Sequence, residues 1–245
     1  MFKKFGLLLL ALFLCAHASA ASTQDLTLKA DDGVTVYGKL YSAEHPKAII
    51  LLFHQAGSNS AEYAPIAPKL VEMGFSALAI DQRSGGNMFG DTNQTAKHLG
   101  HAASYLEAQK DLEAAFVYAK GQHLPIVLWG SSYSSSLIFL VAAQHPGEVK
   151  ALLSFSPGEY LGSPDLVKKA AAQDNLPIFV TQAKDKEEID NANAILSASP
   201  STFKLQFVAA VAGVHGSSTL RADRNAQGAT ENWQAVTAFL NKVFS

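Results

Sequence analysis

Six short, nearly unbroken apolar runs most constrain this chain: AIILLF (48–53), FSALAI (75–80), PIVLW (125–129), VKALLSF (149–155), LPIFVT (176–181) and FKLQFV (203–208). A half-exposed strand alternates apolar and polar residues. A continuous run marks a strand covered on both faces, as in a parallel sheet. Between the runs lie helix-period patterns at 60–73, 103–120, 135–145, 164–173, 186–197 and 230–243. The last carries Trp233, Val236, Phe239, Leu240 and Val243 on one stripe. Strand–helix alternation predicts an α/β sheet with helices on both faces. Ahead of it, DLTLKA (25–30) and VTVYGKLY (34–41) flank the turn signal Asp31-Asp32-Gly33 and predict an antiparallel hairpin. The sum is an eight-stranded, mostly parallel sheet. No internal repeat or polar linker divides it.

The first 20 residues fit no part of this pattern. Lys3 and Lys4 precede an apolar stretch, Leu7 to Leu14, and Ala18-Ser19-Ala20 is an A-x-A cleavage signal. This reads as a secretory signal peptide over 1–20, leaving one domain over 21–245 and a periplasmic or secreted protein. The stretch is too short to be a stable membrane span. Cleavage would remove Cys15, the only cysteine, and with it any thiol or disulfide chemistry. It would also leave 17 Lys and Arg against 21 acidic residues. A mildly acidic chain without a basic cluster points away from nucleic acid and anionic membrane as partners. Composition leaves oligomeric state open.

In an open α/β sheet, ligands bind beyond the carboxyl ends of the strands. After PIVLW comes Gly130-Ser131-Ser132-Tyr133-Ser134, which opens a helical pattern. A nucleophilic serine on a tight strand-to-helix turn needs small residues two positions either side. Gly130 and Ser134 meet that need for Ser132. Ser131 would place Trp129 and Tyr133 in those positions, and Ser134 lies a turn into the helix.

A serine hydroxyl needs a histidine to take its proton and a carboxylate to orient the histidine. After LPIFVT stands Asp185, and after FKLQFV stands His215. Their order along the chain, Ser then Asp then His, suits this fold. Asp185 could also cap the helix beginning near Lys186. Glu187 and Glu188 read as a solvated helix face. An oxyanion needs two N–H donors, assigned to Tyr133 and to Ala56 in the loop His54-Gln55-Ala56-Gly57. His54 reads as a residue that orders this loop.

FHQAGSN (53–59), AIDQRSGG (79–86), WGSSYSSS (129–136), FSPGEY (155–160), QAKD (182–185) and VHG (214–216) together resemble the α/β-hydrolase family. The likeness is to its dienelactone-hydrolase-like and small serine-esterase branch. It spans about 25 to 244. Two positions depart from the family pattern: Gln55 where glycine is usual, and Ser134 at the end of the serine turn. The resemblance implies structural roles for Asp81 and Arg83. It implies a carboxylic ester hydrolase, exported on the signal-peptide reading, with a small-molecule ester substrate and no metal or cofactor. A peptidase or thioesterase would use the same residues, and a binding module of this fold would lack one of them. Only 156–175 separates two strands where relatives carry a large helical cap, so little or no cap is expected. The stretch 87–104 either covers the site or is solvated. Gln55, Met88, Phe89, Glu159 and Tyr160 are the candidate substrate contacts.

Overall fold

A computed structural model describes residues 22–245; the signal-peptide reading and Cys15 lie outside the described residues. The hairpin is β1 (Ser22–Lys29) against β2 (Thr35–Ser42). Six further strands follow: β3 (Ile49–Phe53), β4 (Ser76–Ile80), β5 (Ile126–Ser131), β6 (Val149–Phe155), β7 (Ile178–Thr181) and β8 (Lys204–Phe207). They form one eight-stranded sheet in the order β1-β2-β4-β3-β5-β6-β7-β8. β1–β2 and β2–β4 pair antiparallel, and every other pair is parallel. Every strand coincides with an expected run.

The continuous apolarity has the consequence expected of it. Ile49, Leu51 and Phe53 of β3 enter one core, while Ile50 and Leu52 enter the other. The first core packs against α3 (Gln109–Lys120), α4 (Tyr133–Gln144), α5 (Leu166–Ala171) and α6 (Lys186–Ala198). The second packs against α1 (Ala67–Glu72) and α7 (Ala229–Val243). Each buried Leu or Ile contributes about 1.5–3 kcal/mol relative to exposure.

Two helical expectations change. The pattern at 60–73 divides into a 3₁₀ turn, Ser60–Tyr63, and α1. Pro65 and Pro68 are the reason, because neither can donate an N–H to a preceding turn. The stretch 87–104 contains a helix, α2 (Gln94–Leu99). Asn93 caps its start, accepting from the Ala96 N–H at 2.8 Å, and Gly100 ends it at φ 76°. α2 lies over the hairpin: the Tyr37 N–H donates to Thr95 Oγ1 at 3.0 Å, and His98 stacks on the Tyr37 ring. Between β6 and β7 the one helix is the six-residue α5, so there is no large cap.

Candidate active site

β3 pairs with β4 on one side and β5 on the other, and Phe53 lies beside Gly130. The crevice beyond these strand ends is the switch point of the sheet, where open α/β folds bind ligands. Ser132 stands there, between β5 and α4, at φ 58° and ψ −126°. A non-glycine residue in this region is strained, as a sharp strand-to-helix turn requires. A Cβ on Gly130 would lie 2.4 Å from the Ser134 carbonyl oxygen, so the turn admits only glycine there. Ser134 is fully buried and uses its hydroxyl, donating to the His54 carbonyl and accepting from Gln82 Nε2, both at 2.6 Å. Its departure from the family pattern thus ties the turn to the loop after β3. Ser131, Ser135 and Ser136 also donate their hydroxyls to protein acceptors. Ser132 is left as the serine that faces the histidine.

His215 Nε2 lies 2.8 Å from Ser132 Oγ, and His215 Nδ1 lies 2.6 Å from Glu188 Oε1. A carboxylate can only accept, so Nδ1 carries the proton and Nε2 accepts from Ser132. The Glu188 bond is the main cause raising the His215 pKa above that of an ordinary histidine, against burial, which lowers it. Burial pushes the Glu188 carboxyl up. Hydrogen bonds from His215, Ser156 and the Ala183 N–H outweigh it, and the net shift is downward.

The acid at His215 is therefore Glu188, and the expectation of Asp185 is corrected. Asp185 is the N-cap of α6, and its Oδ1 accepts the Glu188 N–H at 2.9 Å. An N-cap side chain turns into the helix to accept a first-turn N–H, whereas the Glu188 side chain reaches back past the cap. Glu188 Oε2 accepts the Ala183 N–H at 3.0 Å, which leaves Oε1 for the histidine. The N-cap position of Asp185 is readable in the sequence and is the signal that separates the two carboxylates. Ser156 is a second residue the sequence did not indicate. At φ 59° its hydroxyl accepts the Gly216 N–H at 2.9 Å and bonds Glu188, joining the acid to the histidine loop.

Ala56 and Tyr133 are the candidate oxyanion donors. Tyr133 opens α4, where an N–H has no helical partner. Among the described residues the Ala56 N–H donates to no protein acceptor. The Gln55 N–H is already taken, donating to Glu62 Oε2 at 2.9 Å. His54 is fully buried. The Gln82 N–H donates to its Nε2 at 2.9 Å, so its Nδ1 donates to the Gln55 carbonyl at 2.8 Å. Burial lowers its pKa to about 4, so it stays neutral and orders the loop.

The substrate-contact candidates fare unequally. Gln55 lies at the rim, with Nε2 3.5 Å from Ser218 Oγ and 3.7 Å from Met88 Sδ. Met88 is exposed beside it. Phe89 is instead committed to packing, its ring covered by the guanidinium groups of Arg221 and Arg224 at 4.3 and 5.0 Å. Glu159 is also committed: its carboxylate caps α5, accepting the Val167 and Lys168 N–H groups at 2.9 and 3.0 Å. Tyr160 lines a cleft of about 520 Å³ with Tyr105, Leu106 and Leu161. Tyr105 stacks on Tyr133, the residue after Ser132, with ring centroids 4.3 Å apart.

Known structures share this architecture. An esterase of Pyrococcus furiosus superposes with a TM-score of 0.69 at 16% identity, over 92% of this chain and 94% of that one. A dienelactone hydrolase of Anabaena variabilis gives 0.69 at 18%, over 91% and 98%. A thermostable carboxyl esterase of Bacillus coagulans gives 0.69 at 15%, over 91% and 99%. At these identities the likeness is one of fold. No curated protein matches the sequence. The family model described as serine aminopeptidase, S33, matches residues 44–191, more than half the chain, and includes both Ser132 and Glu188. The chain thus belongs to the S33 serine aminopeptidase family of α/β hydrolases.

Proposed function

We propose that this protein hydrolyses carboxylic esters by nucleophilic catalysis at Ser132. The observation that carries the reading is the unbroken hydrogen-bond chain Ser132–His215–Glu188, with Ser132 on a strained turn. Ser132 Oγ attacks the ester carbonyl carbon as its proton passes to His215 Nε2. Glu188 holds the imidazole in the tautomer that can receive it and stabilises the cation that forms. The carbonyl oxygen becomes an oxyanion, held by the N–H groups of Ala56 and Tyr133. Collapse breaks the bond to the alcohol, which leaves with the proton from His215. Water then repeats the sequence on the acyl-serine and frees the acid. Esterases among the structural neighbours support ester hydrolysis, and the short α5 segment favours short-chain or bulky soluble esters. The proposed hydrolase acts outside the cytoplasm, on the signal-peptide reading of 1–20.

The family's description favours a second reading, cleavage at a free amino terminus. That substrate presents an α-ammonium and needs a free carboxylate to hold it. Glu188 is committed to His215, Glu62 to the Gln55 N–H and the Ser131 hydroxyl, and Glu159 to α5, which leaves the exposed Glu187 of α6 as the carboxylate nearest the site for that role. Ester hydrolysis makes no such demand.

The test combines a fluorophosphonate probe with a chain-length series of p-nitrophenyl esters and leucine p-nitroanilide. Wild type is expected to be labelled and to cleave the short esters. Ser132→Ala should do neither, and His215→Ala should lose activity by on the order of 10⁶, because such residues act as a unit. Labelling of Ser132→Ala would sink the assignment. Preference for the anilide would select the peptidase reading.

A further inference from the structure

Glu62 sits in the 3₁₀ turn after the loop that carries Ala56, is fully buried, and has no part in the steps above. A buried carboxylate is costly unless its oxygens are well supplied with donors. Here the donors come from the segments that form the site. Oε2 accepts the Gln55 N–H at 2.9 Å. Oε1 accepts the hydroxyl of Ser131, next to the nucleophile, at 2.6 Å. Ser131 Oγ in turn accepts the Ser217 N–H at 2.8 Å, in the loop of His215. The Glu62 carbonyl accepts Arg221 Nη1 at 2.8 Å, just past that loop. Burial pushes the carboxyl pKa upward; these donors and the Ser58 hydroxyl pull it down only in part, and the net shift is upward.

The bond to Gln55 has a geometric consequence. A peptide unit is planar, so the Gln55 carbonyl and the Ala56 N–H point in opposite directions. His54 Nδ1 holds that carbonyl, and Glu62 holds the N–H on the other side of Gln55. With both flanking peptides fixed, the direction of the Ala56 N–H is fixed as well. A carboxylate suits the position because it offers two acceptors, one to each loop.

We infer that Glu62 is a positioning residue that aims the Ala56 N–H at the oxyanion and holds the nucleophile turn and the histidine loop in the same frame. The inference rests on the reading of Ser132 as the nucleophile. It predicts that Glu62 acts on the chemical step and leaves ground-state binding alone.

Inactivation by a fluorophosphonate reads this directly, since its P=O oxygen occupies the oxyanion position whatever the natural substrate. We would measure kinact, KI and the melting curve of wild type, Glu62→Met and Glu62→Gln. Glu62→Met keeps the volume and removes both acceptors. It should lower kinact by about 10²–10³, the usual loss for one oxyanion donor, with KI within about threefold. Glu62→Gln keeps a carbonyl for the Gln55 N–H and can satisfy Ser131 if that hydroxyl reverses. It should stay within about tenfold of wild type, rescuing most of the loss. Wild-type kinact in a folded Glu62→Met would overturn the inference, as would a loss confined to KI or one equally large in Glu62→Gln. If Glu62→Met does not fold, Ser131→Ala carries the test. It cuts the same chain at the nucleophile turn, and an unchanged kinact there would overturn the inference too. Failure of wild type to react would instead count against Ser132 as nucleophile.

Discussion

An aspartate at a helix N-cap spends its carboxylate on first-turn N–H groups, and Asp185 does so on Glu188. Glu188, one methylene longer and facing out of the helix, is the carboxylate on the histidine. The two should therefore separate cleanly under mutation. Glu188→Gln should lower kcat by about 10⁴, the loss expected when the histidine's orienting carboxylate becomes an amide. Asp185→Ala should leave kcat nearly intact and cost about 1 kcal/mol of stability, read from urea unfolding. The pH profile gives a second readout. His215 must be neutral to accept a proton, so kcat/KM falls as pH drops through its pKa. The Glu188 bond raises that pKa, with smaller help from Glu62 and Asp185, so the acid limb should lie above the ordinary histidine range. In Glu188→Gln the limb should move to lower pH, with Glu62 and Asp185 still holding part of the shift; an unmoved limb would remove Glu188 from the site. Ser132 and His215 were legible because steric rules and chain order single them out. The acid was not legible by order alone, since Asp185 and Glu188 both follow β7 and only the capping geometry divides them.

At the scale of elements, Arg83 joins parts distant in sequence. Its guanidinium bonds Asp32 in the hairpin turn at 2.6 Å and Asp111 in the first turn of α3 at 2.8 Å. Its own N–H donates to Asp111 Oδ2 at 2.6 Å. Nearby Asp81, the obvious partner in sequence, instead accepts the Ser60 and Gln94 N–H groups at 2.8 and 2.7 Å. Removing one partner of a buried pair strands the other, which costs about 3–5 kcal/mol. Arg83→Met should therefore lower the melting temperature markedly, while kcat of the folded fraction at low temperature stays near wild type. A melting curve unchanged within error would contradict this. Strands were legible at this scale because burial on both faces leaves a mark that needs no partner to interpret. α2 was less so: it is short and polar, and only Asn93 and Gly100 announce its ends. Long-range pairs such as Arg83 with Asp32 leave no local trace at all.

Across the whole molecule, stability should respond to pH through a group far from the chemistry. Asp174, beyond α5, is 2% exposed, and its Oδ2 has no hydrogen-bond partner among the described residues. Burial raises its pKa to about 8. The folded protein thus holds a proton that the unfolded chain has lost above about pH 4, and stability falls as pH rises between those values. Asp174→Asn should stabilise the fold, with a larger gain in urea at about pH 8 than at about pH 5. An equal gain at both would assign the effect to something other than ionisation. Layering and strand count were legible from the chain; the pairing of β3 with both β4 and β5, which creates the crevice, emerges only from the assembled sheet. One consequence of where Glu188 stands reaches across the fold. Glu188 rides on the first turn of α6, which is anchored in the core through Ala192, Ile195 and Leu196. Ile195 lies about 10 Å further along that rod, at about 1.5 Å of rise per residue. A rod transmits displacement without damping it, so slack at that buried end reappears as error in the bond to the imidazole. The tolerance of the reaction centre is set in part by aliphatic side chains that no substrate ever meets.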